Sequence, residues 1–504
     1  IFGSRGLGDV YKRQDVDTAF AKRYVLERTN VQALQQFVQN ESIRFENQRQ
    51  AALEKAALYD WPIRTVLDDG TITELIHLDD EGNPVYYTTD NNAAAAISQT
   101  DKLEDAPYYL DGLGLSGLGI MIGQWEGGGA RGTQEQLNGR VTIPDAAAGI
   151  SHHATHVCGT MIADGTGNHA AKGMAPRARV RSYQWDNVEA EIAAEAATGT
   201  LLSNHSFGRN AGWLNNGGWF WWGDTTESSN ESDLFGQYNA ATRRWDSVAF
   251  LAPFHLIVKS AGNNRDDTGP APGTWHQHPN TGTWSNDNHP ATAAPDGGYD
   301  CIPTYSGGKN MLTVGALNSN STMTTFSSWG PTDDGRIKPD IVTVGASLLS
   351  TSAFNAGVAC DTCYHIDSGT SMSTPVVTGA SALLQELYQK TNGSRSMRSA
   401  TLKALLIHTA EDVGPAGPDY QNGWGALNTH SAAKVISDNT TDSLKIIEST
   451  LTLPATNSVS FNVNSDGLQP LVATLCWTDP AGTATNALDD LSLIHISEPT
   501  RPED

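Results

Sequence analysis

An α/β fold is expected for this chain: a parallel sheet with helices on both faces, followed by a truncated all-β region of sandwich type. Three observations predict it. From about Gly112 to Ile436, short apolar runs alternate with helical segments, as a parallel sheet with crossover helices requires. Each run ends in small or turn-forming residues, so polar groups gather at the carboxyl ends of the strands. After about Asp438 the text changes to SLKIIESTLTLP, SVSFNVNSD and LVATLCWTDP, which read as antiparallel strands that stop before a sandwich is complete.

The two ends are set aside. Residues 1–14 lack a secretory apolar core, and residues 493–504 lose the pattern before them; both resemble translated sequencing-adapter read-through. With the native start taken as missing, an absent signal peptide carries no weight. Residues 15–105 form a charged N-terminal region. Helical spacing of Phe20, Tyr24, Leu26, Leu34 and Phe37 predicts one or two helices between Val16 and Leu58. TVLDDG, TITELIHL and NPVYYTT follow as short strands, and NNAAAAISQTDKL as a connector. In the main domain, 106–440, the strands are LGIMIGQW, ARVRSYQW, LLSNHSFG, HLIVKSAG and NMLTVGAL. HATHVCGTMIADG opens a helix, and VEAEIAAEAA and TPVVTGASALLQELYQK are helical. Residues 441–492 hold the partial β region.

Composition excludes several roles. The 504 residues suffice for one large core with attachments. A formal net charge of -24 repels polyanions, so no nucleic acid or anionic membrane partner is expected. No apolar run is long enough to span a bilayer. Five cysteines are too few for a disulfide scaffold, and the odd number leaves a thiol unpaired.

Three stretches carry chemistry. In SGTSMSTP, Ser368–Pro375, a serine stands at the start of a helix, where free N–H groups and the helix dipole favour an oxyanion. Gly369 permits close approach, and Pro375 is tolerated in a first turn. An ordinary Ser/Thr helix cap reads the same. In SHHATHVCGT, Ser151–Thr160, a histidine at a helix start can serve as general base. The group His152, His153 and His156 is alternatively a metal site, although His153 and His156 lie three apart rather than four and lack an acid between them. In HLIVKSAGNNRDD a buried strand ends at Asn263, whose amide can donate to an oxyanion or simply form a turn.

Together the three resemble the subtilisin-like serine protease (subtilase) family: HATHVCGT its histidine motif, SAGN its oxyanion motif and SGTSMSTP its serine motif, in the family's order. KGMAPRARV, SNHSFG and FSSWGPTDDGRIKPDI extend the match over roughly Gly112 to Ile436, and ATLCWTDPAG resembles the β-sandwich of some bacterial extracellular members. The resemblance implies that Ser371 is the nucleophile, His153 the general base and acid, and Asn263 an oxyanion donor. It places Ser206, Phe207 and Gly208, with Ser260, Ala261 and Gly262, along an extended substrate that adds a strand to an exposed edge.

The family's acid strand ends in aspartate. Here LGIMIGQWEGGG occupies that place, so the acid is Glu126, with Asp145 the other upstream candidate. A glutamate can orient an imidazole if its extra methylene is absorbed. The expected function is a serine endopeptidase acting on protein or peptide substrates. The rivals are a catalytically impaired relative that binds peptides, and a metal-dependent hydrolase built on the histidine cluster. A secreted or cell-surface monomer is expected, with residues 15–105 a pro-region removed near Asn91–Asp111. No cofactor is expected for catalysis. Structural calcium is implied by the resemblance, with Asp266–Asp267 and Asp333–Asp334 as unassigned candidates. The tryptophans of GWLNNGGWFWWGD and RRWDS read as packing beneath an insertion more than as a cleft rim. Cys360 and Cys363 form a local disulfide, or one of them pairs with Cys301.

Overall fold

The charged N-terminal text folds as two helices, α1 (Thr18–Leu26) and α2 (Val31–Tyr59). Three short antiparallel strands follow: β1 (Arg64–Val66), β2 (Ile72–Leu78) and β3 (Pro84–Thr89). The computed structural model describes residues 17–59, 61–66, 72–79, 82–89, 98–103, 113–145, 149–225, 231–290, 297–355, 357–441, 445–450, 458–463 and 471–483. The two end segments set aside above lie outside the described residues, as does most of the connector.

The main domain is built on β4 (Met121–Glu126), β5 (Val141–Thr142), β6 (Arg179–Gln184), β7 (Leu202–His205) and β8 (Phe207–Arg209). After these come β9 (Gly212–Asn215), β10 (Trp219–Trp222), β11 (Leu256–Ser260), β12 (His276–His278) and β13 (Thr283–Ser285). The last strands are β14 (Leu312–Leu317), β15 (Ile341–Val344), β16 (Ala346–Asn355) and β17 (Val358–Ser368). Its helices are α3 (His152–Ile162), α4 (Val188–Ala197), α5 (Ala240–Leu251), α6 (Thr370–Thr391), α7 (Ser399–His408) and α8 (Thr429–Asp438). Seven strands form one sheet in the order β15-β14-β11-β7-β4-β6-β5, and every pairing in it is parallel.

Helices cover both faces, so the strands are apolar on both sides. Strand β11, LIVKS, is buried at every position. Its Leu256 and Val258 point into the core shared with α3 and α6, while Ile257 points into the core shared with α4 and α5. Ile122 and Trp125 of β4 divide the same way. The N-terminal helices belong to these cores: Val25 of α1 enters the first, and Leu34 and Phe45 of α2 enter the second. The buried Glu189 of α4 faces Arg44 of α2 at 3.6 Å and Arg244 of α5 at 3.7 Å.

Between β8 and α5, and again after β11, the chain inserts a separate four-stranded sheet ordered β13-β12-β10-β9. Trp213, Trp221, Trp222 and Trp245 are buried and Trp219 is half-buried, so most of these tryptophans pack an interior. Beyond α8, parts of the runs read as antiparallel strands lie outside the described residues. The described pieces form no strand pairs with one another. Residues 471–483 lie against the main domain, where the Asn310 side chain exchanges two 2.8 Å hydrogen bonds with the Asp479 backbone.

Candidate active site

The acid comes first along the chain. Strand β4 ends at Glu126, fully buried, and the three glycines that follow turn the chain sharply. Gly128 has φ +139°, and a Cβ there would lie 2.5 Å from the Gly149 carbonyl oxygen, so no larger residue fits. Helix α3 starts opposite, capped by Ser151, whose side chain accepts the Ala154 N–H at 3.2 Å. The cap fixes the first turn and with it His153, which is 3% exposed. His153 Nδ1 donates to Glu126 Oε2 at 2.6 Å. Asp145 lies elsewhere: its Oδ2 accepts the Gln184 N–H at 2.6 Å.

Burial pushes the Glu126 carboxyl above its ordinary range, while His153, the Ser206 backbone N–H and Lys259 pull it back. Lys259, in the apolar run of β11, lies fully buried beneath this site. Its Nζ donates to the Phe207 carbonyl and, at 3.0 Å, to Ser260 Oγ. Burial lowers its pKa to about 7, and Glu126 draws it upward.

Ser371 is the second residue of α6, and is 3% exposed. Its Oγ donates to the Ser206 carbonyl at 2.9 Å, and its own carbonyl accepts Ser206 Oγ at 2.7 Å. The second bond corrects one expectation. Pro375 falls beyond the first turn, at the sixth residue of α6. There its missing N–H would have served the Ser371 carbonyl, and Ser206 Oγ supplies that bond instead. Asn263 is held through its Oδ1, which accepts Thr370 N–H and Thr370 Oγ1, both at 2.9 Å. These two donors fix which end of the amide is NH2. The turn before it needs Gly262: its φ is +106°, and a Cβ would meet Pro303 Cδ at 2.8 Å.

The remaining substrate-segment residues fall on two adjacent strand ends. Phe207 is buried and Gly208 half-buried on β8; Ser260 and Ala261 are buried at the end of β11. One expectation is corrected here. The edge of β8 is not open, because β3 pairs with it antiparallel, with Thr89 opposite Phe207 and Thr88 opposite Gly208.

The three histidines of the motif do not converge. His152 Nε2 lies 3.1 Å from Asp367 Oδ2, and its Nδ1 2.9 Å from Ser352 Oγ. His156 Nε2 faces the Leu348 and His365 carbonyls at 3.2 and 3.3 Å, and burial lowers its pKa to about 3. Neither calcium candidate pair belongs to a convergent group of three or more His, Cys, Asp or Glu side chains among the described residues. Asp267 accepts Asn264 Nδ2 at 3.0 Å, and Asp334 pairs with Arg336 at 2.6 Å. Cys360 and Cys363 form a disulfide, and Cys301 is a buried thiol.

A family model described as the subtilase family, Peptidase S8, matches residues 65–425. The serine protease/ABC transporter B family protein tagA of Dictyostelium discoideum is 30% identical over 183 residues, covering 31% of this chain and 10% of that protein. Its relative tagD, from the same organism, is 23% identical over 456 residues, covering 68% of this chain and 24% of that protein. The C5a peptidase of Streptococcus pyogenes is 38% identical over 122 residues, 23% of this chain and 10% of that protein. The chain thus spans 24% or less of the length of these curated relatives. Among solved structures, the self-cleaved protease domain of PatA is similar at 19% identity and a TM-score of 0.44, over 64% of this chain and 99% of that one.

Proposed function

The chain belongs to the subtilase family, and we propose that it is a serine endopeptidase acting on protein or peptide substrates through an acyl-enzyme. The observation that carries the reading is the buried 2.6 Å contact between Glu126 and His153. A carboxylate on Nδ1–H leaves Nε2 with the lone pair that a general base needs. Ser371 Oγ attacks the scissile carbonyl while its proton passes to His153 Nε2, and Glu126 stabilises the imidazolium. The oxyanion takes hydrogen bonds from Asn263 Nδ2 and from the Ser371 backbone N–H at the positive end of α6. His153 then gives the proton to the leaving amine. Water, deprotonated by the same imidazole, releases the acid product. In the resting site Ser371 Oγ donates to the Ser206 carbonyl.

A fluorophosphonate probe tests this. Labelling of Ser371 and turnover of a peptide library are the expected results. Peptide binding without labelling would favour the impaired relative, and chelator-sensitive hydrolysis without labelling a metal enzyme.

The N-terminal region is read as a covering pro-region. Strand β3 lies on the edge where substrate is expected, and its direction leads toward Ser206, whose carbonyl holds Ser371 Oγ. Self-cleavage is therefore expected shortly after Thr89, and Ser371→Ala should block it. A fully active chain that retains Val16 would rule out obligatory removal. The Cys360–Cys363 bridge supports an oxidising, extracellular setting. Among the described residues no helix is long and apolar enough to cross a membrane.

A further inference from the structure

We propose that His276, His278, Asp287 and His289 form a structural zinc site, which pins the segment after β13 onto β12 against the tryptophan hairpin β9–β10. The ligand atoms of these four residues all lie within 4.8 Å of one another. Three imidazole nitrogens surround one carboxylate oxygen: His276 Nε2, His278 Nε2 and His289 Nε2 stand 3.1, 3.2 and 3.6 Å from Asp287 Oδ1. A tetrahedron with zinc–ligand bonds of about 2.0–2.1 Å has edges of roughly 3.3 Å. The three distances straddle that value.

The protonation chemistry argues for a cation between them. His276 Nδ1 faces the Thr274 carbonyl at 3.0 Å, and a carbonyl only accepts, so Nδ1 carries the proton. In the neutral ring, Nε2 then turns its lone pair toward the lone pairs of Asp287 Oδ1. His276 Nε2 and both nitrogens of His289 are buried without a hydrogen-bond partner, so ionic proximity here is not hydrogen bonding. A divalent cation gives these unpartnered nitrogens a partner, because it binds neutral imidazoles and a carboxylate through their lone pairs. The Thr274 carbonyl is the kind of outer partner that fixes a ligating imidazole's tautomer.

The surroundings are built to hold the rings. Trp221 stacks on His289 with centroids 4.3 Å apart and planes 3° from parallel, and Trp213 meets His276 edge-on at 4.9 Å. His276 and His278 alternate along β12, so both point to one face. Four protein ligands close the tetrahedron, which suits a structural ion rather than a catalytic one. The ion would pin the segment after β13 onto β12 within the insertion that follows Asn263, and so fix the rings on which Trp213 and Trp221 of the other insertion pack. The other convergent group, His152, His365 and Asp367, has one ligand fewer, and its two rings address different carboxylate oxygens. It provides an internal control.

The full chain, purified without added metal, is measured by plasma mass spectrometry. About one zinc per chain is expected, falling below about 0.1 in His276→Ala and in His289→Ala and unchanged in Asp367→Asn. If the alanine variants fail to fold, wild-type protein stripped with a strong chelator is titrated with cobalt(II), and the intense visible bands of four-coordinate cobalt are expected. Zinc retained by both alanine variants, or a wild type with neither zinc nor a tetrahedral cobalt spectrum, would overturn the proposal.

Discussion

Two histidine–carboxylate assemblies lie in this chain, and they are put together in opposite ways. At the end of β4, one imidazole meets one carboxylate at 2.6 Å with the geometry of a hydrogen bond. In the insertion, three imidazoles crowd one carboxylate oxygen at 3.1 to 3.6 Å, and two of them lack that geometry. The first arrangement divides labour between donor and acceptor, so it can move a proton. The second aims lone pairs at a common point, so it can hold a cation. The same residue types therefore do not define the chemistry; the direction of the lone pairs does. Charge balance differs as well. The Glu126 carboxylate has its own buried cation in Lys259, whereas the insertion has no lysine or arginine ion-paired to Asp287 among the described residues.

The largest effect should come from breaking the first assembly alone. Glu126→Gln preserves shape but favours the wrong imidazole tautomer, and kcat should fall by roughly ten-thousand-fold. Zinc content should not change. Steady-state kinetics beside metal analysis checks both halves, and unchanged kcat would remove Glu126 from the machinery. Asn263→Ala comes next. It takes one donor from the oxyanion and should cost about 100- to 1000-fold in kcat with little change in KM. An equal rise in KM at constant kcat would instead make Asn263 a substrate-binding group. Glu126→Asp should be milder, perturbing the assembly without dismantling it. The shorter side chain sits on a backbone adapted to glutamate, and a displacement of about 1 Å can cost up to about 100-fold. A gain in activity would show that the backbone does not compensate for the extra methylene.

Legibility in sequence follows the same divide. The residues proposed as catalytic stand out in the sequence because each is tied to a local device: the Ser151 cap before His153, the Gly262 turn before Asn263 and the start of α6 before Ser371. The alternation of strands and helices was readable because β4, β11 and β14 are buried parallel strands with largely apolar text. The zinc ligands were missed. HQH and DNH sit on either side of a hairpin, with eight residues between His278 and Asp287, and only the β12–β13 pairing brings them together. An H-x-H followed by D-x-H was the available signal. The occupied edge of β8 was invisible too, since pairing of β3 with β8 is a contact between segments more than a hundred residues apart. Lys259 was hidden by its neighbours: in HLIVKSAG it stands in an apolar run, and nothing local shows that the cation faces Glu126 across the site.

The smallest expected effect concerns that lysine, and it sharpens the contrast between a built-in cation and a recruited one. Burial lowers Lys259 to about 7 from an ordinary 10.5, with Glu126 opposing the shift and the buried His205 ring close by. The unfolded chain keeps this proton up to about 10.5, so across that window the unfolded state binds more protons than the folded state. Stability from this group therefore rises with pH between about 7 and 10.5 and is lost as pH falls through about 7. Lys259→Met removes the titration. Its stability relative to wild type, read from urea midpoints, should be most favourable near pH 6 and decline as pH rises toward 10. Losing the cation also leaves Glu126 harder to ionise, so the acid limb of kcat/KM should move to higher pH. Parallel stability curves for the two proteins would mean that the ammonium beneath Glu126 is fully compensated in the fold, and that Lys259 serves only as a donor to the Phe207 carbonyl and Ser260 Oγ.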